Sequence, residues 1–268
     1  MRCSFVVGLL NRLLDQGVID RAQSTVAVCA GESDKRVLAD VGFRDVTLTN
    51  VDVASGTMLH GSAVTPGSWI EADAHELPFD DGAFDLAFVS DGLHHCRSPH
   101  RAVTEMFRVA RVGIVVIESR DSLSMRLAEW LTYTDAYEFN GRLLETREQG
   151  GVDFGPVPNF VYRWTEREFE KLLSSYDPAH DNQFMYFYGL HLPERLLGVR
   201  LVKLVASLVT AVSPQQSNTF GMVALKGPVK GYLTGAEDGL RLRDDVRGPQ
   251  VQRSNASPSR KRHRIRVE

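Results

Sequence analysis

The stretch EADAHELPFDDGAFDLAF, residues 71–88, decides how the chain is read. An apolar run, Trp69 to Ala72, stops at Asp73. A polar turn follows, and a second apolar run, Phe84 to Val89, stops at Ser90 and Asp91. Short apolar runs that end in an acid or a small polar residue are buried strands opening into a loop. The same pattern holds on either side. Thr25 to Cys29 runs into Ala30-Gly31 with a helical pattern after it, Val46 to Val51 ends at Asp52, and Val112 to Ile117 is almost entirely β-branched. Between the last two strands, Ala102, Val103, Met106, Phe107 and Val109 recur at helical spacing. Strands apolar on both faces and separated by helices form a parallel sheet covered on both sides. The spacing therefore predicts a doubly wound, Rossmann-like α/β domain with its ligand crevice at the carboxyl ends of the strands.

Further elements fill out the domain. Phe5, Val6, Leu9, Leu10, Leu13 and Leu14 predict an amphipathic first helix. Thr165, with Glu168 three residues on, predicts a capped helix to about Tyr176. A helix is expected from about Glu194 to Val212, between strands at Gln183 to Tyr188 and Thr219 to Leu225, which brings the sheet to seven strands, mostly parallel. Residues 1–227 are read as this domain. Within it, residues 130–164 hold eight of the 23 aromatics and a glycine- and proline-bearing second half, which marks an insertion that either lids an acceptor pocket or packs its rings on the core. Residues 228–268 carry a net charge of +5, leaving −8 on the rest, and are expected to be a disordered basic tail.

Composition excludes several classes. The chain has 268 residues, 43% hydrophobic and 24% charged, and a net charge of −3, which is that of an ordinary globular protein with no general pull toward nucleic acid. Three scattered cysteines make no disulfide framework, so a reducing, cytoplasmic setting is expected. The apolar stretch Leu196 to Val212 is interrupted by Arg200 and Lys203, so no transmembrane segment is expected.

The crevice residues point to a nucleoside. Asp52 follows Gly31 by 21 residues, and Asp73 follows Asp52 by 21. A carboxylate at the first position suits a ribose diol, and one at the second suits an exocyclic amine such as that of adenine. The turn Ala30-Gly31-Glu32-Ser33 has one glycine followed by an acid, where a pyrophosphate needs several glycines and a helix start free of negative charge. A cationic cofactor without phosphate fits better than NAD or ATP.

Residues 71–88, with Ser90-Asp91-Gly92-Leu93-His94-His95 after them, resemble the adenine-binding segment, fourth strand and post-strand stretch of class I S-adenosylmethionine-dependent methyltransferases of the type-11, ubiquinone-biosynthesis-like group. The similarity covers about residues 24–120. It implies S-adenosylmethionine as cofactor, with Ala30 and Gly31 against the methionine moiety, Asp52 on the ribose, Asp73 and Ala74 at the adenine, and Ser90 beside the sulfonium. It departs from the family in the single-glycine first turn and in Ala110-Arg111-Val112-Gly113, which stands where the family has Lys-Pro-Gly-Gly. His94 and His95 would sit near the transferred methyl, as catalytic candidates able to take a proton from a hydroxyl acceptor. Zinc held by His94, His95 and Cys96 is disfavoured, since three adjacent side chains cannot all face one ion, and no metal is expected. The function so implied is methyl transfer to a small-molecule or glycan-like acceptor. The competing readings are a methyltransferase-like binding or scaffold module without turnover, and a dinucleotide oxidoreductase, the latter opposed by the missing glycines.

Overall fold

A computed structural model describes residues 2–51, 68–139, 145, 147–148, 150–191, 200–236, 239–243, 245–246 and 263–266. Helices α1 (Arg2–Asp15), α2 (Glu32–Val41), α3 (Pro99–Val109), α4 (Leu123–Trp130), α5 (Glu166–Tyr176) and α6 (Arg200–Val212) surround strands β1 (Thr25–Ala27), β2 (Val46–Asn50), β3 (Trp69–Glu71), β4 (Phe84–Ser90), β5 (Ala110–Ser119), β8 (Gln183–Gly189) and β9 (Thr219–Leu225). These seven strands lie in the order β8-β9-β5-β4-β1-β2-β3. Only β9 runs antiparallel to its neighbours β5 and β8. The order reverses between β1 and β4, the switch point where an open α/β sheet binds its ligand.

Alternation along the strands builds two cores. Val26, Ile114 and Val116 face α3 and α5, where they meet Val103, Met106, Phe107, Phe169 and Leu173. Ala27, Val115 and Ile117 face the other side, packed on Leu9, Leu13 and Leu38 of α1 and α2. The expected cap on α5 is present, with Thr165 Oγ1 accepting from the Glu168 amide at 3.2 Å. The Glu168 carboxylate instead accepts from the Tyr162 hydroxyl and meets His100 Nε2 at 2.9 Å. Ala110 to Gly113, expected as a turn before the fifth strand, form the first part of β5 itself, with a register shift against β4 that sets Phe84 opposite Ala110 but Leu86 opposite Gly113.

The tail departs from its expected disorder where it is described. Leu233–Ala236 (β10) and Gly239–Leu242 (β11) form an antiparallel hairpin, and His263–Arg266 (β12) pairs parallel with β8 as an eighth strand. The alternating tail sequence supplies backbone donors to a sheet edge that a disorder reading based on charge and Pro/Ser content overlooks. The expected helix start at Glu194 lies outside the described residues. In the insertion, Tyr137–Glu138 (β6) pairs with Asn159–Phe160 (β7) in a two-stranded ribbon.

A buried ion pair fastens the insertion's end to the sheet. Arg120 Nη2 donates to both Glu166 oxygens, at 2.8 and 2.7 Å, Tyr188 donates to Glu166 Oε1 at 2.6 Å, and the guanidinium lies over the Tyr188 and Phe220 rings. Removing one partner leaves the other charge buried and unpaired. Glu166→Ala is therefore expected to lower unfolding free energy by about 3–5 kcal/mol in urea titrations; a loss under about 1 kcal/mol would place the pair's charge in water.

Candidate functional site

The carboxyl ends of β1, β2 and β4 open onto a cavity of about 490 Å³. The first turn lines it with Cys29, Ala30, Gly31, Ser33 and Asp34; the ends of β2 and β3 add Asn50, Val51, Asp73, Ala74 and His75; the end of β4 adds Ser90, Asp91, Gly92, His95 and Cys96; and the insertion adds Gly150, Gly151 and Asp153. Five of the six predicted cofactor residues, Ala30, Gly31, Asp73, Ala74 and Ser90, thus share one wall. Asp52 lies outside the described residues. β2 stops two residues before it, and Asn50 occupies the strand end, its amide donating to Ala30 O at 2.9 Å and its carbonyl accepting from Val51 N at 2.8 Å.

Gly92 allows the walls to close. A Cβ there would lie 2.5 Å from Cys29 Cβ, so only glycine lets the post-β4 turn pass beside the first turn. Cys29 itself has φ +51°, the left-handed region, and its Sγ lies 3.8 Å from Cys96 Sγ with both thiols free. Cys96 is thereby turned toward the first turn.

Asp73 is held by a clasp that the sequence reading missed. Its Oδ1 accepts from the His75 amide at 2.8 Å and from His75 Nδ1 at 2.6 Å. His75 Nε2 in turn accepts from the Ser98 amide at 3.0 Å, which fixes the proton on Nδ1. Partial burial works against ionisation of Asp73, but the His75 bonds outweigh it and keep the carboxyl below its ordinary value. Asp34 is the opposite case. Burial, reinforced by the charge of Asp91 and only partly offset by the Gly31 amide that donates to its Oδ2 at 2.8 Å, raises it to about 6.

The two histidines have different surroundings. His94 is buried, with Nδ1 3.1 Å from Glu118 Oε2 and Nε2 3.2 Å from Glu138 Oε2. Burial opposes its charge, but the two carboxylates prevail and lift it to about 10, while the His94 cation holds Glu138 at about 2. As a cation with both nitrogens engaged, His94 has no lone pair with which to act as the expected base. His95 lines the cavity; burial and the neighbouring cation lower its basicity, its Nδ1 meets the Asn159 amide, and its Nε2 lies 3.7 Å from Glu138 Oε2. Glu138 and Asn159 come from the β6–β7 ribbon, more than 40 residues away in sequence. Of the insertion's aromatics, Trp164 is buried in the core, while Trp130, Tyr133, Tyr137, Phe139 and Phe160 are exposed.

The family profile described as a methyltransferase domain matches residues 26–117, from β1 to β5. Residues 26–117 are thus similar to a methyltransferase domain, over about a third of the chain. The chain is 30% identical over 130 residues to a ubiquinone/menaquinone biosynthesis C-methyltransferase of Psychromonas ingrahamii, covering 47% of this chain and 50% of that one. It is 34% identical over 116 residues to a demethylmenaquinone methyltransferase of Renibacterium salmoninarum, covering 42% and 45%. The chain spans about half the length of these curated relatives. Among solved structures, the magnesium protoporphyrin IX methyltransferase of Synechocystis with bound SAH superposes with TM-score 0.49 at 12% identity, over 84% of each chain. The YcgJ protein of Bacillus subtilis does so with TM-score 0.49 at 12% identity, over 82% of this chain and 98% of that one.

The match to a methyltransferase domain points to S-adenosylmethionine as cofactor, and the donor set fits it. The described lining holds four aspartates, Asp34, Asp73, Asp91 and Asp153, and no lysine or arginine. Such a lining favours a cation and repels a polyphosphate.

Asp34 gives a pH test. Its folded value of about 6 exceeds the ordinary 3.8, so its contribution to stability is full below the lower value and is lost as pH rises through the higher one. Asp34→Asn cannot ionise, and its stability relative to the parent should rise by about 2–3 kcal/mol between about pH 4 and pH 8 in urea titrations. A flat difference over that range would show that the carboxylate is solvated.

Proposed function

We propose that the protein transfers a methyl group from S-adenosylmethionine to a small-molecule acceptor bearing a hydroxylated ring, aromatic or sugar, held at the His95 side of the cavity. The observation that carries this reading is a cavity lining with four aspartates and no lysine or arginine among its described residues, at the switch point of a sheet that matches a methyltransferase domain. Bound there, S-adenosylmethionine would supply a methyl group already activated by its sulfonium, and the proton of an acceptor hydroxyl would pass to His95 on the cavity wall.

The chain's own residues bind and orient. Ala30 and Gly31 make room for the methionine moiety, Asp73 and Ala74 take the adenine, Ser90 stands beside the sulfonium, and Asp52 serves the ribose. Asp34 and Asp91 supply negative charge to the cationic end. His95 meets the acceptor, and His94, locked between two carboxylates, fixes where His95 sits. Alignment of this kind contributes roughly 7–11 kcal/mol of barrier lowering. The exposed rings of Tyr137 and Phe160, 5.5 Å apart and edge-to-face, offer a flat acceptor a stacking surface on the ribbon that carries Glu138. The relatives' names specify quinone-pathway methyl transfer, which is chemistry on such a ring. Among the described residues no feature of the cavity favours a module without turnover, since four aspartates line it and no side chain at Gly92 crowds the first turn.

Calorimetry and thermal melting test this. At one hundred times its dissociation constant, S-adenosylmethionine should add about 2.7 kcal/mol and raise the melting temperature by roughly 5–10 °C, with NAD giving no shift. Asp73→Ala should weaken binding roughly tenfold or more, the loss of a charge-assisted hydrogen bond. Affinity should also fall as pH drops from about 7 to 5, because Asp34 takes up a proton near 6 and its charge no longer meets the sulfonium. A shift with NAD and none with either sulfur nucleoside would overturn the proposal.

A further inference from the structure

We infer that His94, His95 and Glu138 form a binding site for a divalent transition-metal ion on the acceptor side of the cavity. The inference rests on the proposed function in one respect, that the acceptor enters beside His95. The donor atoms of the three residues all lie within 4.8 Å of one another. Glu138 Oε2 is 3.2 Å from His94 Nε2 and 3.7 Å from His95 Nε2. Ligands about 2.0–2.2 Å from a shared ion stand roughly 3.3–3.6 Å apart when tetrahedral, so these separations bracket what one ion needs.

Both imidazoles are aimed the same way. They follow each other on one tight turn with ring centroids 4.4 Å apart and planes tilted by 37°. Each is held from behind at Nδ1, His94 by Glu118 and His95 by Asn159, and each presents Nε2 to Glu138. An ion at the site takes the place of the proton on His94 Nε2, which is released as the ion binds, while Glu118 keeps the other proton on Nδ1 and raises the donor strength of the ring. With the Asn159 carbonyl turned to the ring, His95 keeps its proton on Nδ1 and its Nε2 lone pair forward; as placed, that carbonyl oxygen is buried and unpartnered. The third ligand therefore comes from the ribbon in place of Cys96, whose thiol is directed at Cys29.

Two histidines and one carboxylate leave coordination positions open, the arrangement used where an ion must also receive a substrate atom. Because His95 lines the cavity, those positions face the acceptor. The class of acceptor so favoured carries a hydroxyl or enol oxygen next to the atom that is methylated. Imidazole and carboxylate together suit zinc, iron(II), cobalt(II) or manganese(II) and do not suit a soft, thiolate-seeking ion.

The test uses untagged full-length protein stripped with a chelator and titrated with cobalt(II), followed by visible absorption and calorimetry. The expected result is one equivalent bound, with Glu138→Gln and His95→Asn each weakening it roughly tenfold or more. An independent measurement needs no variant: proton NMR of the cobalt-loaded parent should show two exchangeable, hyperfine-shifted imidazole N–H signals, one from each Nδ1. No saturable binding, equal binding by parent and variants, or fewer than two such signals would overturn the site. Binding of S-adenosylhomocysteine by the parent is measured alongside. Its absence would defeat the proposed function and leave the metal result standing, whereas its presence without cobalt binding defeats only the metal site.

Discussion

One buried carboxylate holds the site to the sheet. Glu118, near the end of β5, is withdrawn from solvent yet accepts the Leu93 amide at 2.6 Å and faces His94 Nδ1 at 3.1 Å. An ionised group in such a place must be satisfied by donors, and both donors come from the turn after β4. The turn is thereby fixed to the neighbouring strand, and His95, Gly92 and Cys96 take their places on the cavity wall. Through His94 the same anchor reaches Glu138 and fixes the ribbon. Sheet, turn and insertion are joined by a chain of alternating charges, carboxylate, imidazolium and carboxylate, and each member's charge is stabilised by the next.

The cavity's electrostatics follow from what its first turn lacks. With one glycine and two acids in the first turn of α2, the turn offers a ligand few bare amides, and Asp34 occupies the Gly31 amide itself. A phosphate would have to displace that carboxylate. A cation gains from it, and also relieves the burial that makes Asp34 reluctant to ionise.

Much of this was legible in the sequence because strands apolar on both faces and acids at strand ends are local signals. β4 and β9 fall within a residue of their expected ends, and five of the residues expected at the crevice line one cavity. What was not legible is the set of contacts that fold distant segments together. Nothing around Glu138 or Asn159 distinguishes them from other polar residues of an aromatic-rich loop, and only the ribbon pairing of Tyr137 with Phe160 carries them to the histidines. The clasp of His75 on Asp73 depends on the start of α3 lying beside the turn after β3, a tertiary fact. The role expected of His94 changed for the same reason: His-His after a strand reads as available base until two carboxylates from elsewhere enclose it.

The ribbon's mode of attachment has an evolutionary corollary. β6 and β7 pair only with each other and stand apart from the main sheet. Residues between Arg120 and Trp164, an isolated bridge whose ends are adjacent in space, can be replaced without disturbing strand order, at the cost only of the part of the cavity lining that Gly150, Gly151 and Asp153 supply. Descendants of one scaffold could in this way exchange the segment as a cassette, inheriting the strand-end residues of the cavity while diverging in what covers them.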